Sequence, residues 1–175
     1  MGRHIQAMDL LTIACLALLP VIAVAAGVRD LTTMTIPNWM SLALVAAFLP
    51  AALLAGLGWQ GLLVHLGIGV GALMIAAGLF ALGAIGGGDA KLMAALALWM
   101  GPDGVLMFVL WTAVAGGLFS VALILARGRL VGLGAFGPAW VRGLLQPKGD
   151  IPYGVAIAAG ALMAWPASAM MASAF

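Results

Sequence analysis

Uninterrupted apolar runs fill the chain near residues 9–28, 38–56, 62–83, 90–101, 104–126 and 151–172, each closed by residues that break helices. Arg29 and Asp30 end the first run, and Ile36-Pro37-Asn38 opens the second. Proline is tolerated in a first helical turn, where its missing N–H leaves nothing unpaired. Gly56 to Gly61 turns between the second and third runs, Gly86-Gly87-Gly88 separates the third from the fourth, and Gly101-Pro102-Asp103-Gly104 is a strong turn signal. Crossing about 30 Å of hydrocarbon at about 1.5 Å per residue takes about 20 apolar residues. The expected fold is therefore all-α: a polytopic membrane protein of about six transmembrane helices, forming one membrane-embedded domain over residues 1–175. The fourth run is short, since its 12 or so residues make about 18 Å of helix.

Composition agrees with lipid as the main solvent. Of 175 residues, 66% are apolar and 7% charged, against roughly 25% charged in a soluble domain. No linker long enough to join a separate soluble domain is visible. The first run follows Arg3 and His4 but is too long for a signal core and lacks a small-x-small cleavage site, so it reads as a mature helix. One cysteine, Cys15, excludes an internal disulfide or a cysteine zinc site within one copy, and His4 and His65 show no ligand spacing. No metal and no cofactor are expected. A net charge of +2, without basic residues interleaved with exposed aromatics, gives nucleic-acid binding no support.

Charge also orients the chain. With six crossings, Arg29, Lys91, Arg127, Arg129, Arg142 and Lys148 share one side and Arg3 lies on the other, so six of the seven basic residues fall together. The positive-inside rule makes that side cytoplasmic and puts the N-terminus outside. Glycine at 25 positions fits closely packed membrane helices, and Gly67-x-Gly69-x-Gly71 reads as a packing face. In the inner loop 127–150, the stretch Ala139 to Leu145 reads either as an interfacial segment anchored by Trp140 and Arg142 or as a plain tether.

The acidic residues are Asp9, Asp30, Asp89, Asp103 and Asp150, with no glutamate. Asp9 and Asp103 fall on the outer side, where each can meet water. Asp30 and Asp89 lie on the inner side, where an apolar run meets a short loop, and an ionisable group near membrane depth costs a few kcal/mol. Two carboxylates within a hydrogen bond of each other cannot easily both ionise, so such a pair shares one proton. The ionised member can take a proton from a water attacking a peptide carbonyl while the other donates to the carbonyl oxygen, without metal or cofactor. Glycines beside Asp89 would let a substrate backbone approach and the loop adopt positive φ. The same residues admit simpler accounts: Asp89 as an ordinary helix N-cap, and Asp30 beside Arg29 as a solvated interfacial pair.

Two stretches carry a family resemblance. Asp30-Leu-Thr-Thr-Met-Thr-Ile36-Pro37-Asn38 resembles the first signature of type IV prepilin peptidases, an aspartate six residues before Ile-Pro-Asn. Gly86-Gly-Gly88-Asp89-Ala-Lys91-Leu92 resembles their second, Gly-x-Gly-Asp continued by x-Lys-Leu. Ile151-Pro152-Tyr153-Gly154-Val155-Ala156 is similar to the short branch that serves Flp-type (Tad) pili. The resemblance implies Asp30 and Asp89 as catalytic pair, with Gly86, Gly88, Lys91, Pro37 and Asn38 supporting the loop or the substrate's approach. It implies removal of a short basic leader, typically after a glycine, from a Flp-type prepilin at the cytoplasmic face of the bacterial inner membrane. Thr32, Thr33, Met34 and Thr35 stand where relatives often carry basic residues. The larger bifunctional relatives add a Cys-x-x-Cys region and methylate the new N-terminus; this chain has no such region, so cleavage without methylation is expected.

Three other readings compete. A small ion- or proton-coupled transporter subunit would use the two aspartates for a cation or proton relay. A presenilin-like protease shares Gly-x-Gly-Asp but sets its first aspartate after tyrosine, unlike Arg29-Asp30. A structural pilus-assembly component would hold the two carboxylates too far apart to react.

Overall fold

The computed structural model describes the backbone of residues 2–134, 137–147 and 149–172, and side chains except those of 2–9 and 130–134 within that range. Lys148, and the side chains of Arg3, His4 and Asp9, therefore lie outside the described residues. The described residues form helices and turns only: α1 Gly2–Thr33, α2 Asn38–Leu54, α3 Trp59–Ala81, α4 Gly87–Gly134, α5 Ala139–Leu144, α6 Tyr153–Ala164, a 3-10 turn Trp165–Ala167 and α7 Ala169–Ala172. Leu10–Thr33, Trp59–Ala81 and Gly87–Arg129 are long and apolar enough to cross a membrane; α2 and Tyr153–Ala167 are shorter apolar helices.

α4 is two helices in one. Gly101 interrupts it with φ 61° and ψ −166°, a backbone conformation open to glycine. Pro102 has no N–H, so the carbonyl of Leu98, four residues back, loses its helical partner. His65 of α3 replaces it: its Nδ1–H donates to the Leu98 oxygen over 2.8 Å, in a fully buried position. The imidazole fills the notch left by the missing side chain of Gly101 and stacks on Phe48. Trp99 joins the same cluster, donating from Nε1 to the Leu44 oxygen of α2 at 2.8 Å and meeting Phe48 and Trp165 edge-on.

The contacts trace a reversal at this break. Gly88, at the start of α4, lies against Ile36, and Trp99 lies against Trp165. Beyond the break, Gly104 lies against Ser168, Thr112 against Gly160, Gly116 against Ala156, and Arg127 bonds the Asp150 carbonyl. The second arm thus runs back along α6 toward the end from which the first arm started. One end of the bundle gathers residues 30–38, 86–91 and 150–154; the other gathers Gly101, Gly104, Trp165 and Ser168. α4 packs on α2, α3 and α6, and α1 on α2 and α6, whereas α2 and α3 scarcely touch each other.

Several sequence expectations are corrected. α1 does not stop at Arg29-Asp30: it runs on to Thr33, with the Thr32 and Thr33 hydroxyls bonded back to the carbonyls of Val28 and Arg29. Met34 then ends it in the left-handed region at φ 52°, with its N–H on the Asp30 carbonyl. The turn before α4 falls on Gly83, at φ 71°, while Gly87 and Gly88 already belong to the helix, so Gly86 to Gly88 provide no positive φ. Of Gly67, Gly69 and Gly71 on α3, Gly69 alone packs closely, its α-carbon face lying on Leu98; residues two apart cannot share one helical face. The run 151–172 is not one helix, because Pro166 falls in a 3-10 turn that separates α6 from α7. The stretch 127–150 is more than a loop, since it includes the end of α4 and all of α5, which places Trp140 and Arg142 on a helix.

Candidate active site

Asp30 and Asp89 are both buried, at 6% and 8% exposure, and come together at one end of the bundle. Asp30 projects from the last turn of α1 toward the start of α6. Its Oδ2 accepts the Gly154 N–H at 2.8 Å. That N–H is one of the unpaired donors of a helix's first turn, where the helix dipole favours negative charge. Pro152 precedes the helix, as expected where an N–H would have no partner. Gly154 can have no side chain: a Cβ there would fall 2.7 Å from the Asp30 Cβ and 2.9 Å from both Asp30 Oδ2 and the Ile36 Cδ1.

Asp89 is the third residue of α4 and not its N-cap. The helix begins when the Gly86 carbonyl accepts the Ala90 N–H. Asp89 folds back so that its Oδ2 accepts the Gly86 N–H at 3.2 Å, the reciprocal half of a capping box. Its other oxygen, Oδ1, is enclosed and has no hydrogen-bond partner.

Ile36 is the wedge between the two. Its side chain meets Gly154 beside Asp30, and its backbone oxygen would lie 3.2 Å from a Cβ on Gly88, the residue before Asp89. The two carboxyl groups are within electrostatic reach of each other. Pro37 follows as the N-cap of α2, and Asn38 Oδ1 accepts a hydrogen bond from Lys91 Nζ at 2.9 Å. The two sequence signatures are thereby joined by contact, Ile36 on Gly88 and Asn38 on Lys91. Each of the seven residues singled out from sequence lies at this end of the molecule.

Sequence reading missed two contributors. Gly154 lies in the Ile151–Ala156 stretch, whose sequence by itself assigns it no part in the site. Arg127 entered only as a topological charge, yet it is buried and its guanidinium donates to the carbonyls of Leu144 and Asp150, both at 2.8 Å. It ties the end of α5 to the entry of α6, and so helps fix where Gly154 sits. The signal for Gly154 was a glycine directly after Ile-Pro-x in a repeat of the Ile36-Pro37 pattern; for Arg127, an arginine inside an apolar run.

Helices long and apolar enough to cross a membrane, with two buried carboxyl groups at one end, define a helical membrane protein with an acidic site. The type IV leader peptidase family matches residues 17–121, more than half the chain and including both aspartates. The chain belongs to that family, and is a protease of the aspartic type. No curated protein and no solved structure matches it.

Proposed function

We propose that the protein is a membrane aspartyl endopeptidase that removes the basic leader from a Flp-type prepilin at the cytoplasmic face of the inner membrane, without methylating the product. The observation that carries this reading is the pair Asp30 and Asp89, buried together beside Ile36 with unlike surroundings. Family membership weighs against the transporter alternative.

The unlike surroundings give the two carboxyl groups different tasks. Asp30, held by an N–H at a helix N-terminus, is the ionised base. Asp89, with an enclosed and unpartnered Oδ1, is the neutral member, because an unpartnered buried charge costs more than an unpartnered hydroxyl. Water attacks the peptide carbonyl carbon as Asp30 takes its proton and Asp89 gives its own to the carbonyl oxygen. The C–N bond then breaks: the leaving amine takes the proton from Asp30, and a hydroxyl of the intermediate returns one to Asp89. The pair is restored, and no metal or cofactor enters.

The topology expected from sequence is part of this reading. Six crossings with the N-terminus outside fit a bundle whose site end also holds Lys91 and Arg127. The test is intact-mass analysis of a Flp-type prepilin incubated with the purified protein in vesicles and S-adenosylmethionine. The expected products are the leader and a mature chain with a free, unmethylated N-terminus. An uncleaved prepilin would contradict the reading, and a mass increment of one methyl group would remove its last clause.

A further inference from the structure

The N–H groups of a helix's first turn have no partners inside the helix. α4 and α6 both start at the end of the bundle where Asp30 and Asp89 lie, and they dispose of these donors differently. α6 gives its Gly154 N–H to Asp30. α4 gives none away: the N–H groups of Gly87, Gly88 and Asp89 meet no acceptor among the described residues. In a capping box the N-cap side chain accepts the N–H of the second or third helical residue. Here the N-cap is Gly86, which has no side chain to offer, and a Cβ on it would lie 2.9 Å from Asp89 Oδ2. Only the reciprocal half of the box is made, from the Gly86 N–H to Asp89 Oδ2.

A second observation at the same place points to the missing acceptor. Asp89 is 8% exposed, and its carboxyl group folds back over this first turn, with Oδ2 on Gly86 and Oδ1 enclosed and unpartnered. A buried carboxyl oxygen without a partner and helix N–H groups without acceptors, side by side, are both satisfied by one external oxygen that accepts from each. The first turn is the positive end of the helix dipole, so it favours an oxygen on which negative charge develops. Gly87 and Gly88 are half-buried, which leaves their N–H groups within reach of a bound molecule. Gly88 lies against Ile36, and Ile36 against Gly154 beside Asp30, so these open donors border the carboxyl pair.

We infer that the backbone N–H groups of Gly87 and Gly88 form an oxyanion hole that receives the carbonyl oxygen of the bond being cut. The inference rests on the peptidase reading above and adds catalytic groups to it. As the attacking water bonds to the carbonyl carbon and gives its proton to Asp30, the π electrons of the carbonyl move onto its oxygen. Gly87 and Gly88 donate hydrogen bonds to that oxygen while Asp89 passes its proton to it. When the C–N bond breaks, the leaving amine takes the proton from Asp30, the oxygen returns one to Asp89, and the two N–H groups are unchanged. Donors fixed by a helix need no reorganisation as the charge develops. The same role accounts for glycine at the N-cap, since a serine, threonine, asparagine or aspartate there would occupy the donors from within.

The test deletes one donor and keeps the helix. Proline is accepted at a first helical position, where it removes the N–H and little else. In vesicles with a Flp-type prepilin, Gly87→Pro is expected to lower kcat about a hundredfold relative to Gly87→Ala, with KM and the pH dependence of kcat unchanged. Alanine is the control because it adds the same Cβ, 3.3 Å from the exposed Phe80 ring, but keeps the N–H. A backbone ester at position 87 puts oxygen in place of the N–H and adds no side chain. It is expected to lose a similar factor, and it serves as the test should the proline variant not fold. A folded proline variant as active as the alanine variant, or an ester enzyme with unchanged kcat, would overturn the inference. So would a loss accompanied by a shifted pH profile, which would place the effect on Asp89 and not on the substrate oxygen. Failure of the peptidase reading looks different, since the unsubstituted enzyme would then leave the prepilin uncut or Asp30→Asn would still cut it.

Discussion

Asp30→Asn and Asp89→Asn are each expected to lower prepilin cleavage by at least about a thousandfold, at the upper end of what one positioned acid or base contributes, because each removes half of a proton cycle. Asparagine has the shape of aspartate and keeps an oxygen that can accept from Gly154 at position 30 or Gly86 at position 89. Both variants should therefore remain folded, with thermal unfolding in detergent close to that of the unsubstituted protein. Asp103→Asn should leave cleavage unchanged, since Asp103 is exposed near the opposite end, beside the Gly101 break. Full activity in either dyad variant would remove that residue from the mechanism.

Gly154→Ala is the second large effect, and its cause is geometric. The added methyl falls 2.7 Å from the Asp30 Cβ, nearer than real Cβ contacts come, and Ile36 blocks the other direction. Asp30 must move, or α6 must draw back and take its N–H with it. Displacement of a reacting group by about 1 Å costs on the order of a hundredfold in rate. Alanine is also the best helix former, so α6 itself is not weakened. A fall in kcat of about a hundredfold, with folded protein still recovered from membranes, is the expected result. An alanine variant with unaltered kcat would show that Asp30 does not depend on this contact.

Much of the bundle was legible because its punctuation is chemical. Gly56 and the Gly101-Pro102 pair mark breaks, both glycines taking positive φ, and apolar runs of span length report lipid or protein on every side. Helix ends were less legible. Asp30 reads as a terminus because charge interrupts an apolar run there, but the helix runs on for three more residues, the Thr32 and Thr33 hydroxyls bonding back onto it, until a left-handed Met34 ends it. Near Asp89, three glycines in a row read as a loop, whereas two of them start a helix and serve by leaving room for Ile36.

The site was legible where local sequence carries it and illegible where it depends on distance. The two aspartates announce themselves as costly residues at membrane depth. The Gly154 bond to Asp30 joins residues 124 apart, and nothing in either segment names the other. His65 lies between these cases. It gave no ligand spacing and drew no role, yet Pro102 alone implies a carbonyl at Leu98 in need of a donor, and a buried histidine is one of few side chains able to supply it. The break in α4 that His65 supports lets the chain reverse and return, so that Arg127 and α6 reach the end where Asp30 and Asp89 lie.

Catalysis by Asp30 and Asp89 requires the two side chains to meet in one compartment, and one measurement tests this without any appeal to activity. In a Cys15→Ser background, Asp30→Cys and Asp89→Cys are combined, and separate samples in oriented vesicles are treated, one with a membrane-impermeant thiol reagent and the other with a short bifunctional one. The expected result is labelling of both cysteines from the cytoplasmic face alone and an intramolecular bridge between them. Labelling of the two positions from opposite faces would put a bilayer between the carboxyl groups and contradict the account.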